Sequence, residues 1–312
     1  VKERHLGSSG LRVSAVGLGC NNFGGRIDLD ATRAVVDRAL DQGITLFDTA
    51  DVYGDRGGSE TCLGEVLGSR RKDIVLATKF GMPMDDAERL RGGSRRYIVT
   101  AVEASLRRLK TDWIDLYQMH RPDAATPIDE TLRALDDLVR AGKVRYIGCS
   151  NFAAWQVVDA DWTARTEHLT RFVACQDELS LLVRGIEGDL VPAMTAKGLS
   201  LLPYFPLASG LLTGKYRRNA MLPAGARLTK TQRLADRYLT DANWPKVEAL
   251  AEVCATRGFT MLEAAFGWLT AKPYVASVIA GATKPEQIDA NVAAGERVLS
   301  ADDLAAIEAA IA

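Results

Sequence analysis

The chain has 312 residues, 47% hydrophobic and 25% charged, an ordinary globular composition with length enough for a sizeable core. Its 39 Lys and Arg against 40 Asp and Glu leave a formal net charge of -1, so there is no electrostatic case for a nucleic-acid or anionic-membrane partner. Five scattered cysteines (Cys20, Cys62, Cys149, Cys175, Cys254) form no CxxC pair, which points to a reducing compartment and to no metal cluster. The N-terminal VKERHLGSSGLRVSAVGLG lacks a signal-peptide pattern and no apolar run reaches membrane-span length, so a cytoplasmic protein is expected.

RHLGSSGLRV, at 4–13, predicts a small hairpin with SSG as its turn. Eight short apolar runs follow: AVGLG (15–19), ITLFD (44–48), IVLATK (74–79), DLYQMH (115–120), VRYIGCSN (144–151), RFVACQ (171–176), LSLLPY (199–204) and VASVIAG (275–281). Between them apolar residues recur at helical spacing. Val35, Val36, Ala39 and Leu40 form a stripe opened by Asp30 and closed by Gly43. Val102, Leu106 and Leu109 form a second, and Ile128, Leu132, Leu135 and Val139 a third that ends at Gly142. Continuous apolar strands alternating with such helices predict a parallel sheet covered by helices.

Eight β-α units closing on themselves make a TIM barrel, with chemistry at the C-terminal ends of the strands. The open alternative, a doubly wound sheet, should begin with a GxGxxG turn, and GLGCNNFGG has the wrong spacing and opens no helix. The expectation is an α/β fold, one (β/α)8 barrel domain over residues 1–312 with the hairpin capping its bottom. Two stretches, 80–96 and 205–245, are longer than barrel loops require and are candidates for function.

On this assignment Asp48 ends strand 2, Lys79 ends strand 3 and His120 ends strand 4, with Tyr53 on the loop after strand 2. Singly each has a plain explanation: a turn residue, a snorkelling lysine, a core histidine, a loop aromatic. Together they place proton-capable groups on one rim. A free phenol titrates near pH 10, and an ammonium about 4 Å away at an effective dielectric of about 20 favours its phenolate by roughly 4 kcal/mol. Tyr53 is therefore expected to be shifted down towards the working range. Asp48 would keep Lys79 charged, and His120 would donate a hydrogen bond to a carbonyl oxygen. Without a nucleophile or metal cluster, such an acid site needs a hydride carrier.

LFDTADVYG, SLRRLKTDWIDLYQMHRPD, GKVRYIGCSNF, PYFPLASGLLTGKY and GATKPEQIDAN resemble, in order and spacing, the blocks of the aldo-keto reductase superfamily, including its potassium-channel-β-like branch. The resemblance implies a TIM barrel and a catalytic tetrad of Asp48, Tyr53, Lys79 and His120. Tyr53 would be the general acid, tuned by Lys79 and Asp48, and His120 would orient the carbonyl. It implies cofactor contacts from Asp48, Ser150, Asn151 and Gln176 on the nicotinamide side, with Tyr204 stacking on the ring. Phe205, Pro206, Leu207, Ala208, Ser209, Leu212 and Lys215, with Arg227, would wrap the pyrophosphate. Gly281, Thr283, Lys284, Gln287 and Asn291 would hold the adenosine phosphate, where Pro285 opens a helix. Gln287 and Asn291 also read as a solvated helix face.

Many members carry an arginine where Thr283 stands, so Lys284 is left as the nearby formal charge. NADP(H) is the expected cofactor, with NAD(H) possible. The substrate pocket is expected from Asn21, Asn22, Phe23, Tyr53, Phe80, Met82 and His120, mixed apolar and polar. Arg91 or Arg95 could overhang it, although a solvated basic loop is the favoured reading. The implied activity is reduction of aldehydes or ketones with NADPH. The alternatives are an NADP(H)-binding sensor subunit, against which the histidine in QMHRPD argues, and an alcohol or sugar dehydrogenase working with NAD. A monomer is expected, since no exposed apolar helix stands out.

Overall fold

A computed structural model describes residues 1–312. Strands β1 (Glu3–His5) and β2 (Arg12–Ser14) pair antiparallel as the hairpin. The eight expected strands follow as β3 (Val16–Gly19), β4 (Leu46–Asp48), β5 (Val75–Phe80), β6 (Ile114–Met119), β7 (Val144–Ser150), β8 (Phe172–Gln176), β9 (Ser200–Leu201) and β10 (Val278–Gly281). All are parallel in one sheet, ordered β10-β3-β4-β5-β6-β7-β8-β9. Its two edges meet: the Leu201 amide donates to Tyr274 O, that of Ala276 to Leu201 O and that of Ile279 to Pro203 O, at 2.7, 3.0 and 3.1 Å. The sheet therefore closes as a (β/α)8 barrel.

The helices are α1 (Leu29–Asp41), α2 (Tyr53–Leu67), α3 (Arg95–Leu109), α4 (Ile128–Arg140), α5 (Ala154–Thr166), α6 (Leu190–Ala196), α7 (Arg227–Lys230), α8 (Gln232–Tyr238), α9 (Asn243–Arg257), α10 (Met261–Thr270), α11 (Pro285–Glu296) and α12 (Ala301–Ala310). The predicted stripes face inward. Leu132 and Leu135 of α4 are fully buried, with Ile128 and Val139 packed beside them. The cap of α1 is Asp28, two residues before the expected Asp30; its carboxylate accepts from the Ala31 amide. Serine or aspartate ahead of the first turn satisfies donors that the helix cannot.

Packing separates into two layers. The larger cluster lies between strands and helices. A smaller one fills the barrel's lower interior, where Leu46, Ala77, Leu116, Ala174, Leu202, Ala276 and Ile279 meet Leu6 and Val13 of the hairpin. The hairpin is thus the plug of the barrel floor, as expected.

Two expectations need amendment, and one holds. Residues 205–245 are not structureless, since they hold a 3-10 segment (Ala208–Thr213), α7 and α8. Arg91 and Arg95 are exposed and paired with Glu88 and Asp137, in keeping with the solvated reading. A helix with an exposed apolar face does exist: Trp155, Val158 and Trp162 of α5, spaced i, i+3, i+7, are 68%, 38% and 67% exposed. No helix is long and apolar enough to cross a membrane.

Candidate active site

Strand geometry alone lifts the polar groups onto one level. Side chains two apart on a strand share a face. Leu46, Ala77, Leu116 and Ala174 point into the barrel floor, so Asp48, Lys79, Gln118 and Gln176 point inward one step higher. All four are buried, and they connect. Asp48 Oδ2 accepts from Lys79 Nζ at 2.6 Å, while Oδ1 accepts from Gln176 Nε2 at 2.9 Å and Gln118 Nε2 at 3.2 Å. Lys79 Nζ also donates to Thr49 O at 2.9 Å. Lys79 is the penultimate residue of its strand and His120 the first beyond β6, a one-residue departure at each end.

The same parity removes an expected pocket residue. Phe80 follows Lys79, so it faces the helix layer, where it stacks on Tyr117 at 4.7 Å between ring centroids. Phe23 is likewise fully buried in the core. Neither lines the cleft. Asn21, Asn22, Tyr53, Met82 and His120 do.

Tyr53 sits above the belt, with Lys79 Nζ 5.2 Å from its ring centroid and the His120 ring edge-on at 5.7 Å. Tyr53 is the first residue of α2, but Gly54, Asp55, Arg56 and Gly57 all have positive φ (68°, 59°, 62° and 121°). This left-handed turn separates Tyr53 from the regular part of α2. Two non-glycine residues held there store strain of about 1–2 kcal/mol each. Gly54 has no alternative, since a Cβ would lie 2.6 Å from both Phe23 O and the Ser59 amide nitrogen.

Burial drives the Tyr53 phenol above its ordinary value, and Lys79, pulling the other way, does not overcome it. The expected net lowering is therefore not what this geometry gives: Tyr53 holds its proton at neutral pH. Burial would lower Lys79, but Asp48 and Tyr53 outweigh it and the ammonium ends above its usual value. His120 is pushed down to about 3 by burial, with help from the charges of Lys79 and Arg121. Its imidazole is neutral, and Nδ1 has no partner within the protein.

Beneath this turn lies a second polar layer that no sequence motif singles out. Asp51 accepts from Tyr97 OH at 3.4 Å and has its other oxygen unpartnered. Burial, with Glu60 nearby, raises its carboxyl to about 8. Glu60 accepts from Thr78 Oγ1 at 2.6 Å and pairs with Arg108 at 2.6 Å.

The cleft above the belt has a volume of ≈ 500 Å³. Ser150, Asn151, Gln176 and Tyr204 line its inner part. Asn151 Nδ2 donates to His120 O at 3.0 Å and to Ser150 Oγ at 2.9 Å, and its Oδ1 accepts from Tyr204 OH at 2.8 Å. Phe205, Pro206, Leu207, Ser209, Lys215, Arg227, Gly281, Thr283, Gln287 and Asn291 continue the wall. Three expected contacts stand apart from it: Ala208 and Leu212 are fully buried in the 3-10 segment, and Lys284 is exposed outside the lining. Asn291 is buried and Gln287 Oε1 accepts from the Thr283 amide at 2.7 Å, so this helix face is not merely solvated.

Gln118, Arg26, Arg121, Arg233 and Arg237 are not among the residues expected from sequence. Gln118 was legible two residues before His120, on the same strand face. The arginines of the rim, apart from Arg121 beside His120, come from a loop (Arg26) and from α8 (Arg233 and Arg237), which only the fold brings together.

At the outer end Lys215 and Arg227 stand close to Arg26: burial first, then the Arg26 charge, lowers both. The Arg227 guanidinium lies over the Phe205 ring at 5.2 Å. Cations without carboxylate partners at one end, and an aromatic ring with amide groups at the other, fit a dinucleotide with a pyrophosphate.

Comparisons with known proteins identify the family. The model of the Aldo/keto reductase family matches residues 15–312. The chain is 37% identical over 303 residues to a probable voltage-gated potassium channel subunit beta of Arabidopsis thaliana, covering 94% of this chain and 91% of that one. It is 38% identical over 302 residues to the uncharacterized oxidoreductase YrpG of Bacillus subtilis, covering 94% and 90%. It is 34% identical over 324 residues to an L-glyceraldehyde 3-phosphate reductase of Escherichia coli, covering 100% and 93%. With its closed barrel and a match over nearly its whole length, the chain belongs to the aldo/keto reductase family of oxidoreductases.

Proposed function

We propose that residues 1–312 act as one domain that reduces aldehydes and ketones to alcohols, with NADP(H) preferred and NAD(H) accepted, in the cytoplasm. The observation that carries this reading is the buried Asp48–Lys79 pair, 2.6 Å apart beneath Tyr53, beside a neutral His120.

Tyr53, protonated at neutral pH, donates its hydroxyl proton to the carbonyl oxygen. The phenolate left behind faces the Lys79 ammonium. A charge about 5 Å away at an effective dielectric of about 20 stabilises it by roughly 3 kcal/mol. Asp48 keeps Lys79 charged and aimed, and Gln118 and Gln176 hold Asp48 in turn. His120, kept neutral, orients the carbonyl oxygen without competing as an acid. A nicotinamide cofactor in the cleft supplies the hydride. Tyr204 offers its ring to that cofactor, Ser150 and Asn151 their polar groups, and Lys215, Arg227 and Arg26 their charge to its phosphates. Favouring NADP(H) rests on that surplus of cations, not on Lys284.

The test is loss of nicotinamide absorbance with NADPH and with NADH, using a reactive aromatic aldehyde, an α-dicarbonyl and a phosphorylated aldehyde. Consumption of NADPH supports the reading. Tight NADPH binding without turnover would favour a cofactor-binding subunit of a larger assembly, in line with the channel-subunit names of the potassium-channel relatives, with the α5 tryptophans as its contact face.

A further inference from the structure

The cleft carries more positive charge than a dinucleotide site explains. Its ion pairs are Lys79 with Asp48 and Arg237 with Glu178. Lys215, Arg227 and Arg26 line the outer end, where the charge of Arg26 acts on both of the others. Arg233 of α8 also lines the cleft without a carboxylate partner, and Arg121 belongs to none of these groups. It lines the same cleft, is exposed to it, and has no carboxylate partner. It follows His120 directly, and its charge is felt at both His120 and Tyr204, so it stands at the catalytic end.

An uncompensated guanidinium there has a cost. It adds to the field opposing any positive charge on His120 and gives a neutral substrate no favourable contact in return. It suits a substrate with an anionic group close to its carbonyl. Arg121 lines the same cleft as His120 and its charge acts on the His120 ring, so an anionic group close to the substrate carbonyl would meet it. The planar fork of arginine matches carboxylate and phosphate alike.

We infer that Arg121 is a specificity-determining residue that binds a carboxylate or phosphate carried a few bonds from the carbonyl being reduced. This rests on the reductase reading of the site. The test compares kcat/KM for benzaldehyde with 2-carboxybenzaldehyde, and for glyceraldehyde with glyceraldehyde 3-phosphate. The proteins are wild type, Arg121→Gln, Arg121→Lys and, as a charge control, Arg95→Gln, an exposed residue outside the cleft lining.

Expected for Arg121→Gln is a loss of about 30-fold on a charged member, equal to ~2 kcal/mol, carried mainly by KM. The neutral counterpart falls by less than about threefold, on the order of 0.6 kcal/mol. Arg121→Lys recovers part of the loss, since an ammonium offers charge without the fork, and Arg95→Gln changes neither. A loss confined to the carboxylate pair or to the phosphate pair supports the assignment and identifies the group. Equal losses on charged and neutral members, or turnover of the charged ones with no dependence on Arg121, would overturn it while leaving the reductase reading intact. No turnover of any of the four by wild type overturns both.

Discussion

Lys79 Nζ lies 2.6 Å from Asp48 Oδ2, and both side chains are closed off from solvent by the barrel wall. Removing one member of a buried pair strands the other, a loss of about 3–5 kcal/mol, whereas removing both can be far milder. Lys79→Met should therefore destabilise the fold more than Asp48→Asn combined with Lys79→Met. Denaturant unfolding of the two variants provides the comparison, and equal stabilities would mean the pair carries no mutual protection.

Tyr53→Phe keeps the ring that meets His120 but removes the transferable proton. General acid groups contribute typically about 10²–10⁴-fold, and kcat should fall within that range or below detection. Binding of NADPH, measured by fluorescence, should stay near the wild-type value. A variant that keeps most of its activity would remove Tyr53 from the proton-donor role.

His120, with its native value at about 3, should contribute no inflection near pH 6.5 to the kcat/KM profile. Its lowered value also has a stability consequence. The unfolded chain takes up a proton near pH 6.5 and the native imidazole does not, so the stability due to neutral His120 is complete above about pH 6.5 and declines as pH falls towards 3. His120→Asn should flatten part of that decline in thermal melts between pH 7 and 4.

Asp51 works in the opposite sense. Its native value of about 8 lies above that of an unfolded aspartate, so folding takes up a proton between these values. The stability attached to the protonated form is complete below about pH 4 and is lost as pH rises towards about 8. Asp51→Asn mimics the neutral acid. Its advantage in melting temperature over wild type should widen from pH 5 to pH 8 and then level off; a constant difference would place the burden on packing instead.

Gly54→Ala puts a methyl group 2.6 Å from Phe23 O at a φ of 68°. The turn that carries Tyr53 must then shift. Activity should fall at least about tenfold, since a displacement of 1 Å at a reacting group can cost about 10²-fold. Far-UV circular dichroism should stay close to wild type, because the regular part of α2 begins beyond the turn.

The strands and helices were readable because their signals are local: apolar runs of strand length, stripes at helical spacing, and caps within a turn of them. That Asp48, Lys79 and His120 share one rim also followed from the sequence, since each stands within a residue of a strand end and parallel strands align their ends. Gln118 was within reach of the same logic, two residues before His120, and Phe80 could have been excluded by it, one residue after Lys79.

Other features depended on distances that no local pattern encodes. The plugging of the floor by Leu6 and Val13, the cluster of Arg26 with Lys215 and Arg227, and the left-handed turn after Tyr53 come from segments far apart in the chain or from a strained backbone. The balance at Tyr53 is the clearest case. The residue types suggested that Lys79 would lower it, but the sign was decided by burial, a property of the folded barrel and not of any residue in it.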